Sequence, residues 1–90
     1  MIIHIGNNNY IYEKDIVAIL DKKAADGTKR TRDFINNLIE EDCLIGSLDL
    51  NTKSYVVVSH NKKTFIYTSN ISSKALASRN IYWYTKIDWR

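Results

Sequence analysis

The 90-residue sequence predicts a small, sheet-rich α+β domain of antiparallel strands, with one mid-chain helix and a short helix in its C-terminal half. Two observations support this prediction. Short β-branched and aromatic runs recur along the chain, most densely over residues 54–68. One stretch, residues 34–39, has apolar residues spaced for a single helix face. A chain of this length has room for one domain, covering residues 1–90.

The densest strand pattern is a predicted hairpin in the second half of the chain. Ser54–Ser59 and Thr64–Thr68 are typical of strands, and a polar break at residues 61–63 separates them. No glycine marks a two-residue turn, so we expect a longer loop. Ser72 or Ser73 then suits the N-cap of a short helix that ends at Arg79.

The N-terminal third predicts further strands. Ile2–Ile5 alternates as a strand does, Gly6–Asn9 is typical of a turn, and Tyr10–Tyr12 continues as the return strand. Asp15–Leu20 fits both a strand and a helix, and its β-branched content favours a buried strand. Lys22–Gly27 is interpreted as a polar loop.

The mid-chain helix has one predicted apolar face and two candidate starts. Thr28 is a suitable N-cap, but basic residues in the first turn oppose the helix dipole, so the helix is expected to start at Thr31. We expect the helix face to be buried together with three side chains of the central hairpin. These residues are Phe34, Ile35, Leu38 and Ile39 on the helix, and Val56, Val58 and Ile66 on the hairpin.

The segments on either side of the hairpin are also expected to be extended. Leu44, Ile45 and Leu48 lead into a strand or an extended connection. The side chains of the aromatic-rich run Ile81–Trp89 alternate between two faces as in a strand. Because this run is costly to leave in water, we expect it to pack on the sheet or on another copy of the chain.

Charge is distributed unevenly along the chain, which carries a net charge of +3. Residues 1–42 hold six Lys/Arg against eight Asp/Glu, a net of −2, and residues 43–90 hold seven against two, a net of +5. This asymmetry is compatible with a polyanionic partner or with head-to-tail contacts between copies. It is equally compatible with an ordinary solvated surface.

The sequence gives little support to catalysis. His4, His60 and Cys43 lack metal-ligand spacing, and no nucleophile signature or glycine-rich phosphate loop is present. We therefore expect no enzyme activity, no cofactor and no metal. A single cysteine fits a reducing compartment, and no apolar run has the length of a signal peptide or a membrane span. The expected location is the cytoplasm, without membrane attachment.

Basic residues in turns and loops are the best candidate binding residues. Lys14 follows the second strand, Lys53 opens the central strand, and Lys62 and Lys63 lie at the hairpin tip. Such lysines reach a phosphate backbone easily, although exposed lysines are more often present only for solubility. Secondary candidates are Arg30, Arg32, Lys74 and Arg79.

Three stretches carry a family resemblance, namely MIIHIGNNNYIYEKDIVAILD, KSYVVV and FIYTSNISSKALASR. Together they resemble the extracellular matrix regulators RemA and RemB. The RemB branch is the closer match because of IHIG near the start and the Ser-Ser-Lys-Ala-Leu run. No match is found in the middle, over residues 24–48.

The resemblance implies a transcription regulator of biofilm-matrix genes that binds double-stranded DNA as a ring-like homo-oligomer. Family members use arginines after the second strand and in the loop before the central strand. These places carry over to Lys14, beside Asp15, and to Lys53. Here lysine replaces arginine, and the paired arginines of the loop are reduced to Asn51-Thr52-Lys53. Lysine keeps the charge but loses the planar fork that grips phosphate.

Two functional hypotheses follow. The first is a cytoplasmic, non-enzymatic, DNA-associated regulator that acts as a homo-oligomer through phosphate contacts. The second is an assembly module that makes protein contacts and binds no nucleic acid. A third, an enzyme, is disfavoured. The first two differ in whether Lys14, Lys53, Lys62 and Lys63 converge on one face of the protein.

Overall fold

The computed structural model describes residues 1–78, which form six strands, three α-helices and a 3-10 turn, Glu13–Asp15. The strands are β1 (Ile2–His4), β2 (Tyr10–Tyr12), β3 (Ile16–Asp21), β4 (Leu44–Ile45), β5 (Ser54–His60) and β6 (Lys63–Ser69). The helices are α1 (Lys22–Asp26), α2 (Lys29–Glu40) and α3 (Ser73–Ser78). The predicted strand Ile81–Trp89 and the side chain of Arg79 lie outside the described residues.

Two sheets confirm the predicted α+β class. β1 and β2 form a two-stranded antiparallel sheet, and the larger sheet has the order β3-β5-β6-β4. β3, β5 and β6 pair antiparallel, as predicted, and β3 is a strand rather than a helix. β4 differs because it lies parallel to β6, with Leu44 beside Ile66. A parallel edge strand is possible there because helix α2 carries the chain back across the sheet before β4 begins.

The large sheet separates two hydrophobic cores. On one face, the β1–β2 sheet and Leu76 of α3 cover Ile19, Val56 and Val58. On the other, α1 and α2 cover a second set, namely Tyr55, Val57 and Ile66. β5 is therefore buried on both faces, which explains its uninterrupted apolar run.

The prediction that all seven hairpin and helix residues are buried together is therefore wrong. Val56 and Val58 belong to the first core, whereas Ile66 shares the second core with Ile35 and Leu38 of the helix. The cause is strand alternation, because neighbouring side chains on β5 point to opposite faces and both faces are covered. Phe34 is 43% exposed, since it lies at the margin of the helix face.

β3 contains a bulge that explains its ambiguous sequence pattern. Ile16 pairs with Val58 and Ala18 pairs with Val57, so Val17 has no partner on β5 and is exposed. The extra residue lets Ile16 and Ile19 enter the same core although they are three positions apart. That spacing imitates a helix, which is why periodicity alone left both alternatives open.

The β5–β6 hairpin confirms the predicted pairing but not the predicted long loop. His60 pairs with Lys63, so only Asn61 and Lys62 form the turn. Their φ angles of 51° and 65° are both positive, as a type I′ turn requires. Asparagine tolerates this conformation well, and Lys62 adopts it at a cost that glycine would avoid.

Helix boundaries differ from the sequence expectations in two places. Residues 22–26 form helix α1 rather than a loop, because the Asp21 carboxylate caps it by accepting from the Ala24 N–H at 2.9 Å. Helix α2 begins at Lys29, with Thr28 at the N-cap position and not Thr31. Its basic first turn is tolerated in part because Lys29 pairs with Asp33 at 2.9 Å.

The short third helix begins as one of the two predicted caps requires. The Ser72 hydroxyl oxygen accepts from the Ala75 N–H at 3.1 Å, and the Ser72 carbonyl accepts from the Leu76 N–H at 2.9 Å. Ser72 is therefore the capping residue, and Ser73 is the first residue of α3.

Replacing Lys62 with glycine is expected to stabilise the fold by about 0.5–1 kcal/mol. Left-handed backbone costs a residue with a Cβ about 1–2 kcal/mol, and the extra freedom of glycine in the unfolded chain offsets about 0.5–1 kcal/mol of the gain. Urea unfolding measures the difference. Lys62→Ala is the control, because it removes the charge and retains the Cβ. An equal gain in both variants would contradict the conformational cause.

Candidate nucleic-acid interface

Three of the four candidate lysines lie at one end of the large sheet. Lys62 and Lys63 are exposed at the β5–β6 turn, and Lys14 is exposed in the 3-10 turn. A contact of hydrogen-bond length joins these two turns, with Nδ1 of His60 3.0 Å from Oδ2 of Asp15. We call the surface formed by Lys14, Lys62 and Lys63 the hairpin end.

Aromatic rings lie beneath two of the hairpin-end lysines. Nζ of Lys14 is 5.9 Å from the centroid of the Tyr12 ring, and Nζ of Lys63 is 5.3 Å from that of Phe65. Cation–π contact orients an exposed ammonium without neutralising its charge. Both ammonium groups therefore remain available to an anion.

The fourth candidate, Lys53, lies at the opposite end of β5. Seven strand residues separate it from the hairpin turn, a distance of about 25 Å at the usual rise per residue. Its backbone is fixed on both sides, because its N–H donates to the Ser69 carbonyl at 2.8 Å and its carbonyl accepts from the Lys22 N–H at 3.0 Å. Within one chain, the four lysines therefore form two separate groups.

The loop that presents Lys53 is held by its own side chains. Oδ1 of Asp49 accepts from the Asn51 N–H at 2.8 Å, and the Thr52 hydroxyl oxygen accepts from the Asp49 N–H at 3.1 Å. A polar cavity of about 270 Å³ opens beside it, lined by Lys53, Asn51, Asn70 and Asn7 among others. The loop is thus shaped before any ligand arrives.

A partly exposed carboxylate, Asp26, anchors the helices beside Lys53. Asp26 accepts from Nζ of Lys22 at 2.6 Å and from the Tyr55 hydroxyl at 3.2 Å. Nη1 of Arg32 donates to the Asp26 carbonyl at 2.7 Å. Burial, the Asp26 charge and the hydrogen bond from the Tyr55 hydroxyl to Asp26 together raise the pKa of Tyr55 to about 12. The network fixes α1 and α2 against β5.

Sequence reasoning missed two lysines beside Lys53. Lys22 and Lys23 begin α1, and both line a cleft of about 460 Å³ together with Lys53. The available signal was the Lys22-Lys23 pair directly after a predicted strand. Its meaning depended on β3 pairing with β5 so that Asp21 faces Ser54, a register that the sequence does not specify.

A family model described as RemA-like, extracellular matrix regulatory protein A-like, matches residues 2–79. The chain belongs to the RemA-like family. The match covers the middle of the chain, where no resemblance was found from the sequence alone, and it does not separate the RemA and RemB branches. A search of curated proteins finds no match.

The remaining basic candidates among the described residues of this RemA-like chain are Arg30 and Lys74, both exposed on helices, and Arg32, whose Nη1 donates to the Asp26 carbonyl. The His4 ring packs 4.7 Å from the ring of Tyr10. Cys43 is buried in the second core.

Within residues 1–78, no group of three or more His, Cys, Asp or Glu side chains is placed to hold a metal ion. None of the helices over the same range has the length and apolar character needed to cross a membrane.

Replacing Tyr55 with phenylalanine should produce a stability loss that depends on pH. The pKa of the Tyr55 phenol is raised to about 12 in the folded state, from about 10 in the unfolded chain. Its contribution is therefore complete below about pH 10 and is lost as the pH rises towards 12. Urea unfolding from about pH 8 to about pH 11 should show wild type and Tyr55→Phe converging at the alkaline end. Tyr10→Phe, at an exposed tyrosine, is the control; a constant difference for Tyr55→Phe would contradict the assignment.

Proposed function

We propose that this RemA-like protein is a cytoplasmic, non-enzymatic regulator of matrix and biofilm genes that binds duplex DNA through phosphate contacts. The observation that carries the proposal is that both positions carried over from the family, Lys14 and Lys53, are exposed. Neither makes an ion pair within residues 1–78. An uncompensated ammonium in a turn is well suited to a phosphate oxygen. Within the family, IHIG and the Ser-Ser-Lys-Ala-Leu run favour the RemB branch.

Phosphate contact is favoured over base reading because of where the charges lie. The candidate lysines occur in turns and at strand ends, not along an exposed helix face. Helix α2 uses Ile35 and Leu38 to pack on the sheet. Specific base recognition in duplex DNA commonly requires a helix or ribbon that enters a groove.

We further propose a ring-like homo-oligomer. In one chain the hairpin end and Lys53 are about 25 Å apart, so a continuous basic surface requires more than one copy. A head-to-tail interface joins two different surfaces and closes into a ring when the rotation allows. Exposed apolar side chains on several elements supply candidate surfaces. They are Ile2, Tyr10 and Tyr12 of the small sheet, Val17 of β3, and Leu48 and Leu50 in the loop before β5.

The DNA hypothesis predicts salt-dependent binding in which Lys14 and Lys53 each contribute. In titrations of a duplex at two salt concentrations, Lys14→Ala and Lys53→Ala should weaken binding to all sequences alike. Each should lower the slope of log K against log salt by about 0.9 per lost contact. In a ring the loss repeats in every subunit, so a single substitution can abolish binding.

Lys29→Ala is the matched control for these titrations. It removes the same charge from an exposed lysine that is already paired with Asp33. If both test variants bind DNA as tightly as wild type, the interface must instead involve Lys62 and Lys63 or Arg30 and Arg32. Undetectable binding by wild type at low salt would instead favour the second hypothesis, an assembly module without nucleic acid. The exposed apolar side chains already described support that alternative.

The oligomer hypothesis predicts that Leu50→Asp lowers the assembly state. Leu50 is fully exposed in the single chain, so a charge there should not disturb folding but should oppose burial in an interface. Native mass spectrometry over a range of concentrations measures the subunit number. Asn37→Asp adds the same charge on the exposed side of α2 and should leave assembly unchanged. Wild type that remains monomeric at every concentration would contradict the proposal.

A further inference from the structure

The cleft beside Lys53 concentrates positive charge from two separate elements. It has a volume of about 460 Å³, and its lining includes Lys22 and Lys23 at the start of α1 and Lys53 before β5. Ser72, the capping residue of α3, closes another side. Among residues 1–78, the acidic residues that line it are Asp21 and Asp26.

The sheet register forces two of these lysines into opposition. Asp21 pairs with Ser54 on the antiparallel β3–β5 ladder, and the Lys22 N–H donates to the Lys53 carbonyl at 3.0 Å. Lys22 and Lys53 are therefore directly opposed, one position beyond the paired strands. Both residues line the same cleft. The backbone hydrogen bonds prevent the two residues from moving apart.

The acidic residues of the cleft are already engaged. The Asp26 carboxylate binds Nζ of Lys22 at 2.6 Å and the Tyr55 hydroxyl. The Asp21 carboxylate accepts from the Ala24 N–H at the start of α1. Lys23 and Lys53 are exposed, and neither makes an ion pair within the part of the chain that the structure describes. The uncompensated charge of the cleft thus belongs to these two residues.

Ser72 adds a neutral donor to the two ammonium groups. Its oxygen accepts from the Ala75 N–H, and its own hydroxyl proton has no acceptor within residues 1–78. The two ammonium groups and the hydroxyl all line the cleft, and each can donate hydrogen bonds to phosphate oxygens.

We propose that the cleft is a phosphate-binding site in which Lys23 and Lys53 contact the phosphate oxygens. Lys22, held by Asp26, is a positioning residue that adds to the local potential. The proposal rests on the proposed function, because the phosphate is taken to be a phosphodiester of the DNA backbone. It extends that function by assigning Lys23 to the interface. A free phosphate compound would present the same chemistry, and the experiment separates the two sources.

The first arm of the test is a duplex DNA titration with the full chain. Lys23→Ala should weaken binding at low salt about as much as Lys53→Ala does, and should lower the salt slope by about 0.9 per lost contact. Lys29→Ala, which removes an equal charge outside the cleft, should bind as wild type does. Wild-type binding that is weakened by Lys53→Ala but not by Lys23→Ala would overturn the assignment of Lys23.

The second arm uses pyrophosphate, followed by NMR of backbone amides. If the cleft binds phosphate groups in general, amide shifts should appear at Lys23, Lys53 and Ser72 in wild type and be lost in Lys23→Ala. Such shifts without DNA binding would support the cleft and refute the DNA function. If the wild type binds DNA but shows no such shifts, the phosphate site is supported only when Lys23→Ala weakens DNA binding. If the wild type shows no DNA binding and no amide shifts with pyrophosphate, both proposals are overturned.

Discussion

Burial of β5 on both faces is the constraint on which the rest of the structure depends. Val56 and Val58 require a cover on one side, and Tyr55 and Val57 require one on the other. The β1–β2 sheet with α3 and the α1–α2 pair supply these covers, so each is held mainly by contact with the central strand. Since the chain is short, removing either layer would expose about half of its apolar core. The two ends of β5 are consequently fixed points, and both carry lysines.

The parts of the fold that follow from local pattern could be predicted from the sequence. Strand composition predicted the β5–β6 hairpin, and a hydroxyl N-cap predicted the start of α3, because both features depend on neighbouring residues. The layer order could not be read in this way. Alternation along Val56, Val57 and Val58 shows that side chains point to both faces, but it does not say which element covers which face. That choice is made by tertiary packing.

The candidate site likewise has features that follow from local sequence and features that depend on tertiary structure. Lysines in predicted turns could be found one at a time, but the distances between them depend on strand register. Register placed Lys22 opposite Lys53 and placed the 3-10 turn of Lys14 beside His60. The conformation of Lys62 was missed for a different reason, since a two-residue turn without glycine is uncommon and the pattern pointed to a longer loop.

The bulge in β3 makes one position of the strand dispensable to the sheet. Ile16, Ala18, Ile19 and Leu20 oppose consecutive residues of β5, so deleting Val17 would join them into a regular ladder and leave every other side chain on its present face. A deletion elsewhere in the strand would turn a core residue towards the wrong layer. Related chains of different length should therefore gain or lose their residue at this position. The exposed valine marks where the chain can change length during evolution without rebuilding either core.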